Sequence, residues 1–259
     1  MPTQITDTHC HLDAPEFEAD RDAVLQRAAE AGVGRLICVG TDLPSSLRCI
    51  ELARRFPGRI YATVGIHPNY WAAAGPEDWA RIEGLAALPE VVAVGESGLD
   101  FHYTHTSREA QAEALRRHIR LAHRTGKPII IHARNADEEV LQVLHEEGPP
   151  PHGVRHCFDR PLAAAEGYLE LGWHVAVGAA VTRPGYAKFK DAVRCLPADR
   201  LLLETDSPYQ SPSSRPGARN EPAFIVETLR AVAGLRGETP EAVADRTTRN
   251  AGALLRLPG

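Results

Sequence analysis

The 259-residue sequence is short of several things, and each shortage removes a class of protein. It has no surplus of basic residues: 29 Lys and Arg stand against 34 Asp and Glu, a formal net charge of -5. A module that holds duplex DNA by blanket neutralisation of phosphates needs a basic surface, so any nucleic acid this chain meets is gripped locally. It has no Cys-x-x-Cys pair, and its cysteines, Cys10, Cys38, Cys49, Cys157 and Cys195, are odd in number. A zinc ribbon and a disulfide framework are thereby excluded, and reduced thiols in a cytoplasmic setting are expected. Met1 to Thr8 shows no basic segment followed by an apolar run, and no apolar stretch reaches bilayer length, so neither a leader nor a membrane span is expected. No Gly-x-Gly-x-x-Gly loop follows the first strand, which argues against a dinucleotide-binding sheet. With no internal repeat, low-complexity tract or linker, residues 1–259 read as one domain, and a monomer is the expected state.

What is present is an alternation. Short apolar, β-branched runs are expected as strands from Ile5, at Arg35 to Gly40, Arg59 to Gly65, Glu90 to Val94, Pro128 to His132, Gly153 to Cys157, His174 to Val177 and Arg200 to Glu204. Between them, helical spacing covers Asp20 to Ala31, Pro44 to Arg55, a stretch around Trp79, Ile82 and Leu85, Ser107 to Thr125, Ala136 to Glu146, Pro161 to Leu171 and Pro184 to Cys195, with Pro222 to Ala233 and Thr239 to Leu255 closing the chain. Eight strand-helix units in this length predict a (β/α)8 TIM barrel, an α/β fold whose functional groups gather at the C-terminal ends of the strands. An open doubly wound sheet is the structural alternative. The loop from Ser207 to Asn220 is the longest irregular stretch and is expected to shape a substrate rim.

The strand ends carry chemistry. His9 and His11 sit two apart at the end of the first strand, so their imidazoles share a face and make half of a metal site. Other strands end in His67, Glu96, His132, His156 and Asp206. Taken singly, each has a structural explanation as a cap or a hydrogen-bonded core group; gathered at one end of a barrel they predict a metal centre. Alternation places Val92, Val94 and Glu96 on one face, and Glu204 with Asp206 on another, aiming the carboxylates into the barrel mouth. Four histidines and two carboxylates exceed what one tetrahedral ion needs, so two divalent ions are expected. In that arrangement Glu96 bridges them, His9 and His11 hold one, His132 and His156 the other, and Asp206 completes the shell. Mg, Mn and Zn all remain open as the metal.

The ordered blocks Asp7-Thr8-His9-Cys10-His11, Gly65-Ile66-His67-Pro68, Gly95-Glu96-Ser97-Gly98-Leu99-Asp100, Ile131-His132-Ala133-Arg134, His156-Cys157-Phe158, Glu204-Thr205-Asp206-Ser207-Pro208-Tyr209 and Asn220-Glu221-Pro222-Ala223 resemble the signatures of the TatD-like metal-dependent deoxyribonucleases, a branch of the amidohydrolase-like barrels. The resemblance runs from the first strand to the last helix. It implies a (β/α)8 fold, divalent metals and hydrolysis of DNA phosphodiesters, commonly as a 3′ to 5′ exonuclease on single strands, and it puts metal roles on His9, His11, Glu96, His132, His156 and Asp206. The chain departs from many members in having Asp159-Arg160-Pro161 where Ser-Gly usually follows the His-Cys-Phe block.

On this reading DNA, as single strands or 3′ ends, is the partner. Asp206 accepts the proton of the attacking water, and Glu204 either orients a ligand histidine or water or simply ties the fold together. Arg134 and His67 are placed to hold the scissile phosphate, although Arg134 is also placed to balance the carboxylates. Tyr209, with Tyr70, Trp71, Phe101, His102 and Tyr103, belongs to a group of rings near the strand ends that either stack on bases or pack under loops. A rival reading keeps the barrel and changes the bond: an amidohydrolase or esterase such as an aminoacyl-tRNA deacylase. A second rival is a structural partner with vestigial metals.

Overall fold

Each apolar run expected as a strand pairs in parallel with the next. The computed structural model describes residues 4–258, so Met1–Thr3 and Gly259, part of the span assigned to the domain and of the stretch read for a leader, lie outside the described residues. The strands are β1 (Ile5–Cys10), β2 (Val33–Cys38), β3 (Ile60–Val64), β4 (Val91–Asp100), β5 (Ile129–Arg134), β6 (Gly153–Arg155), β7 (His174–Val177) and β8 (Leu201–Leu203). They run in sequence order in one eight-stranded parallel sheet. The sheet curls until its edges meet: a parallel bridge joins Cys10 to Ser207, the His11 N–H donates to the Ser207 carbonyl at 2.7 Å, and the Asp206 N–H donates to the His9 carbonyl at 2.9 Å. This is the expected (β/α)8 barrel, the crossovers supplied by helices on the outside.

The helices are α1 (Arg21–Glu30), α2 (Leu43–Arg55), α3 (Pro76–Leu85), α4 (Arg108–Thr125), α5 (Asp137–Glu147), α6 (Ala163–Glu170), α7 (Ala187–Cys195), α8 (Ile225–Arg236) and α9 (Pro240–Leu255). Local chemistry fixes several ends. Asp42, Ser107 and Thr239 each accept a backbone N–H three residues on, capping α2, α4 and α9. Pro222–Phe224, expected at the head of a helix, is a separate 3-10 turn before α8. No helix among the described residues is long and apolar enough to cross a membrane.

Two apolar layers hold the barrel. Inside it, Ile37, Tyr61, Ala93, Ile130, Ala176 and Leu202 pack together, and Ala251, Leu254 and Leu255 of α9 join them. Outside it, strand residues such as Leu36, Ile129 and Leu203 pack with helix residues such as Ile50, Leu115, Val140 and Val232. Strands buried on both faces explain why the runs are continuously apolar. The packing also corrects the alternation expected on β4. Ala93 faces the barrel interior and Val94 the outer layer, so Val94 does not share a face with Glu96 by simple parity. Register shifts at Ala62/Thr63 opposite Val91/Ala93, and again between Val94 and Ser97, turn the chain and return Glu96 to the mouth. The strand then runs on to Asp100, well past the end expected at Val94.

Candidate metal centre

Glu96 lies at the middle of the mouth, almost wholly buried, with its two oxygens facing different groups of histidines. Its Oε2 is 3.3 Å from His9 Nε2 and 3.9 Å from His11 Nε2. Its Oε1 is 2.9 Å from His132 Nδ1 and 2.8 Å from His156 Nε2, and these two nitrogens are 3.3 Å apart. Asp206 completes the first group, its Oδ1 3.4 Å from His11 Nε2 and 3.8 Å from His9 Nε2. The expected ligands are therefore brought together: His9, His11 and Asp206 form one compact trio, His9, Glu96 and His156 a second, and His132 gathers with His67 and Asp100 in a third.

The backbone delivers these atoms. His11 stands just beyond β1, pinned through its N–H to Ser207 at the seam. Asp206, with φ 56, turns sharply after β8 so that its carboxylate swings over the mouth. The Glu96 N–H donates to the Gly40 carbonyl at 2.9 Å, tying the centre of β4 to the end of β2. Gly98, with φ 140, has to be glycine, because a Cβ there would collide with the His132 carbonyl on β5.

In His11 and His132 the second imidazole nitrogen is hydrogen-bonded, which fixes which atom faces the mouth. His11 Nδ1 donates to the Val39 carbonyl at 3.0 Å, leaving Nε2 its lone pair. His132 Nε2 donates to Asp100 Oδ2 at 3.1 Å, leaving Nδ1 free. Asp100 is itself held by Asn69 Nδ2 at 3.1 Å and by the His102 N–H at 2.9 Å. Ending β4 at Val94 leaves Asp100 without a role, whereas the strand in fact reaches it; its even spacing from Glu96 within the Gly95 to Asp100 block is the signal in the sequence. Glu204 is fully buried beneath His156, with Oε1 3.7 Å from His156 Nδ1 and accepting the Cys157 N–H at 2.5 Å. It both ties the fold and lies against His156.

Donor atoms around one ion at about 2.1 Å stand about 3.0 to 3.4 Å from one another, depending on octahedral or tetrahedral arrangement. Separations of 3.3 to 3.9 Å in the His9, His11, Glu96 and Asp206 group, and of 2.8 to 3.3 Å in the Glu96, His132 and His156 group, come within about 0.5 Å of that spacing. The meeting of His9 Nε2 and His11 Nε2 at 3.3 Å, both also facing carboxylate oxygens, is an arrangement a shared cation satisfies. His9 Nδ1, His156 Nδ1 and Glu204 Oε2 lack a hydrogen-bond partner. The residues fit divalent ions.

Electrostatics agrees. Burial alone would lower the pKa of His11, but Asp206 and Glu96 push it up to about 9. Burial likewise opposes charge on His156, and Glu96 with Glu204 drives it to about 10. Against the pull of burial, the histidines hold Glu96 and Asp206 below the usual carboxylate range. A carboxylate field that binds protons this firmly binds a divalent cation in their place, with release of those protons. His67 differs: burial and the neighbouring His132 lower it to about 3. Its Nδ1 accepts the Asn69 N–H at 3.1 Å, so it is a neutral ring whose Nε2–H points toward Glu96 Oε1 at 3.6 Å.

The expected substrate contacts lie on the rim. Arg134 ends β5 with an exposed side chain whose guanidinium rests 5.3 Å from the centre of the Tyr103 ring, rather than on a carboxylate. Tyr209 stands half-exposed with its ring 5.8 Å from that of His11. Among the other rings, Trp71 packs on Trp79 of α3 and Phe101 lies beneath Arg108 of α4, so these two pack against helices.

The family model described as TatD related DNase matches residues 6–256. The uncharacterized metal-dependent hydrolase YabD of Bacillus subtilis is 38% identical over 97% of this chain and 98% of its own length. A protein of Erwinia billingiae named 3′-5′ ssDNA/RNA exonuclease TatD is 38% identical, over 97% of this chain and 99% of its own. Among solved structures, the TatD homologue YjjV of Escherichia coli superposes with a TM-score of 0.95 at 33% identity, covering 100% of both chains.

Proposed function

Since the chain belongs to the TatD-related DNase family and is a metal-dependent hydrolase of that family, we propose that it hydrolyses DNA phosphodiester bonds, removing nucleotides from the 3′ end of single strands with two divalent ions. The observation that carries this is the division of Glu96 between two groups, Oε2 toward His9 and His11, Oε1 toward His132 and His156. The direction and the single-strand preference follow from the similarity to the Erwinia 3′-5′ ssDNA/RNA exonuclease.

Divalent ions supply the Lewis acidity that makes water a nucleophile near neutral pH and offsets charge on the departing 3′ oxygen. His9, His11, Glu96, His132, His156 and Asp206 would hold these ions. Asp206, held in its ionised form, accepts the proton of the attacking water. The Nε2–H of His67 and the guanidinium of Arg134 hold non-bridging phosphate oxygens, Arg134 by its two-pronged fork. Asp100 and Glu204 keep His132 and His156 oriented from behind. A glutamate on β4 leaves no role for a bridging lysine, and the arginine and histidine beside it suit a phosphate better than a neutral carbonyl ester.

Digestion of a 5′-labelled single-stranded oligonucleotide by metal-stripped protein resupplied with Mg, Mn or Zn tests the reading. A ladder shortening from the 3′ end is expected, slowed by about 10²-fold or more in Asp206→Asn. Absence of cleavage with every ion, with hydrolysis of a carboxylic ester instead, would move the protein to the esterase class.

A further inference from the structure

Among the described residues, the large apolar or aromatic side chains left exposed are Tyr70, Tyr103 and Tyr209, at 49%, 45% and 52%. Burial of apolar rings is the rule, and here all the exceptions share one neighbourhood. They also share one construction. Each tyrosine lies three residues after a polar residue of the mouth: Tyr70 after His67, Tyr103 after Asp100, Tyr209 after Asp206. In each case the tyrosine N–H closes the turn back onto that residue, to the His67 carbonyl at 2.9 Å, to Asp100 Oδ1 at 3.4 Å and to the Asp206 carbonyl at 2.9 Å. The same device thus recurs after β3, β4 and β8, on strands that are not all neighbours in the barrel.

Two of the rings are seated on the site and the third stands at the rim. Tyr70 lies 5.6 Å from the His67 ring and Tyr209 5.8 Å from the His11 ring, centre to centre. Tyr103 is stacked on His105 at 5.6 Å and faces the Arg134 guanidinium. Asn220 holds the Tyr209 backbone, its Nδ2 donating to the Tyr209 carbonyl at 2.7 Å. Burial and nearby carboxylates raise the phenols of Tyr70 and Tyr209, the latter to about 12, so both rings are neutral beside a polyanion.

We propose that Tyr70, Tyr103 and Tyr209 form a three-point nucleobase platform around the metal centre, each ring stacking one unpaired base of the strand being cut. The inference rests on the nuclease reading and deepens it by naming what selects a single strand. A ring has no donor and acceptor code for base identity but needs a free base face, so it accepts any unpaired base and rejects a base held inside a duplex. The Tyr103 and Arg134 pair adds a cation beside the ring, where one nucleotide offers base and phosphate together.

The test uses the full chain loaded with manganese and a single-stranded oligonucleotide with non-hydrolysable 3′-terminal linkages, carrying 2-aminopurine at one of its last three positions. Stacking on a ring quenches the fluorescence. Binding is expected to quench the probe, and Tyr70→Ala, Tyr103→Ala and Tyr209→Ala each to weaken binding by about 5-fold or more while relieving the quench at one position. The corresponding Phe variants are expected to retain both, which separates a ring from a phenol and guards against an alanine variant that merely folds badly. An oligonucleotide abasic at those positions is expected to bind native protein and the Ala variants alike. Tight binding without quenching, or abasic strands held as tightly as normal ones by the native protein, would overturn the platform and leave the nuclease reading standing. Failure of the native protein to bind or cut any oligonucleotide would overturn the nuclease reading, and the platform with it.

Discussion

At the scale of single residues, two buried carboxylates show how position decides role. Asp100 is ionised and charge-coupled: burial would raise its pKa, but the hydrogen bond from His132 and the backbone of His102 hold it well below the ordinary range. Its work is to keep His132 in the tautomer that presents Nδ1. Asp100→Ala is therefore expected to weaken metal binding by about 10- to 100-fold, read by titration with a competing chelator. Unchanged affinity would mean that β5 packing alone orients the ring. Asp7 is the opposite case. It is fully buried, and burial raises its pKa to about 7 even though Thr205 and the His9 N–H bond to it. Between pH of about 4 and 7 the folded protein keeps a proton that the unfolded chain has released, so this group makes stability fall as pH rises through that window and level off above it. The full swing is at most about 4 kcal/mol. Asp7→Asn should flatten that part of the pH profile of the unfolding midpoint, relative to the native protein.

Secondary-structure elements were legible where periodicity speaks and illegible where backbone detail does. The eight strand-helix units could be read because runs such as Ile129–Ile131 and Leu201–Leu203 are buried on both faces and the helices between them carry apolar stripes. His9, His11, His132, His156 and Asp206 could be read for a related reason: a polar residue ending an apolar strand in a barrel stands out. The course of β4 could not be read, because a register shift has no side-chain signature and moves every later residue to the other face. That hid Asp100 and made the parity argument for Glu96 reach its destination by the wrong route. Gly98 marks the same stretch. Its substitution by alanine pushes against the His132 carbonyl, so Gly98→Ala is expected to lower stability by more than about 1 kcal/mol in urea titration and to loosen metal binding together with it. Full stability in that variant would show that β4 and β5 can separate at no cost.

For the molecule as a whole, the metal centre is also a clasp. The ligands proposed for it stand on or directly after β1, β4, β5, β6 and β8, so an ion bound there would join strands from all around the barrel. At an ion concentration about 100 times the dissociation constant the folded state gains about 2.7 kcal/mol. For a chain of this size that corresponds to roughly 5–10 °C, so chelation should lower the Tm by about that amount and resupply of the ion restore it. A Tm indifferent to chelator would show that the ligands are fully held by the protein alone.

The seam where β1 meets β8 has a consequence in time. His9 and His11 leave the ribosome early, while Asp206 and Ser207, which the seam sets against them, follow roughly 200 residues later. At about 5–20 residues per second the interval is about 10–40 s. During that interval Glu96, His132 and His156 follow in turn, but without Asp206 and Ser207 there is no complete centre and no closed barrel. A hydrolase assembled this way lacks Asp206 at its centre until the last strand arrives, so its site is completed in the same event that closes its fold.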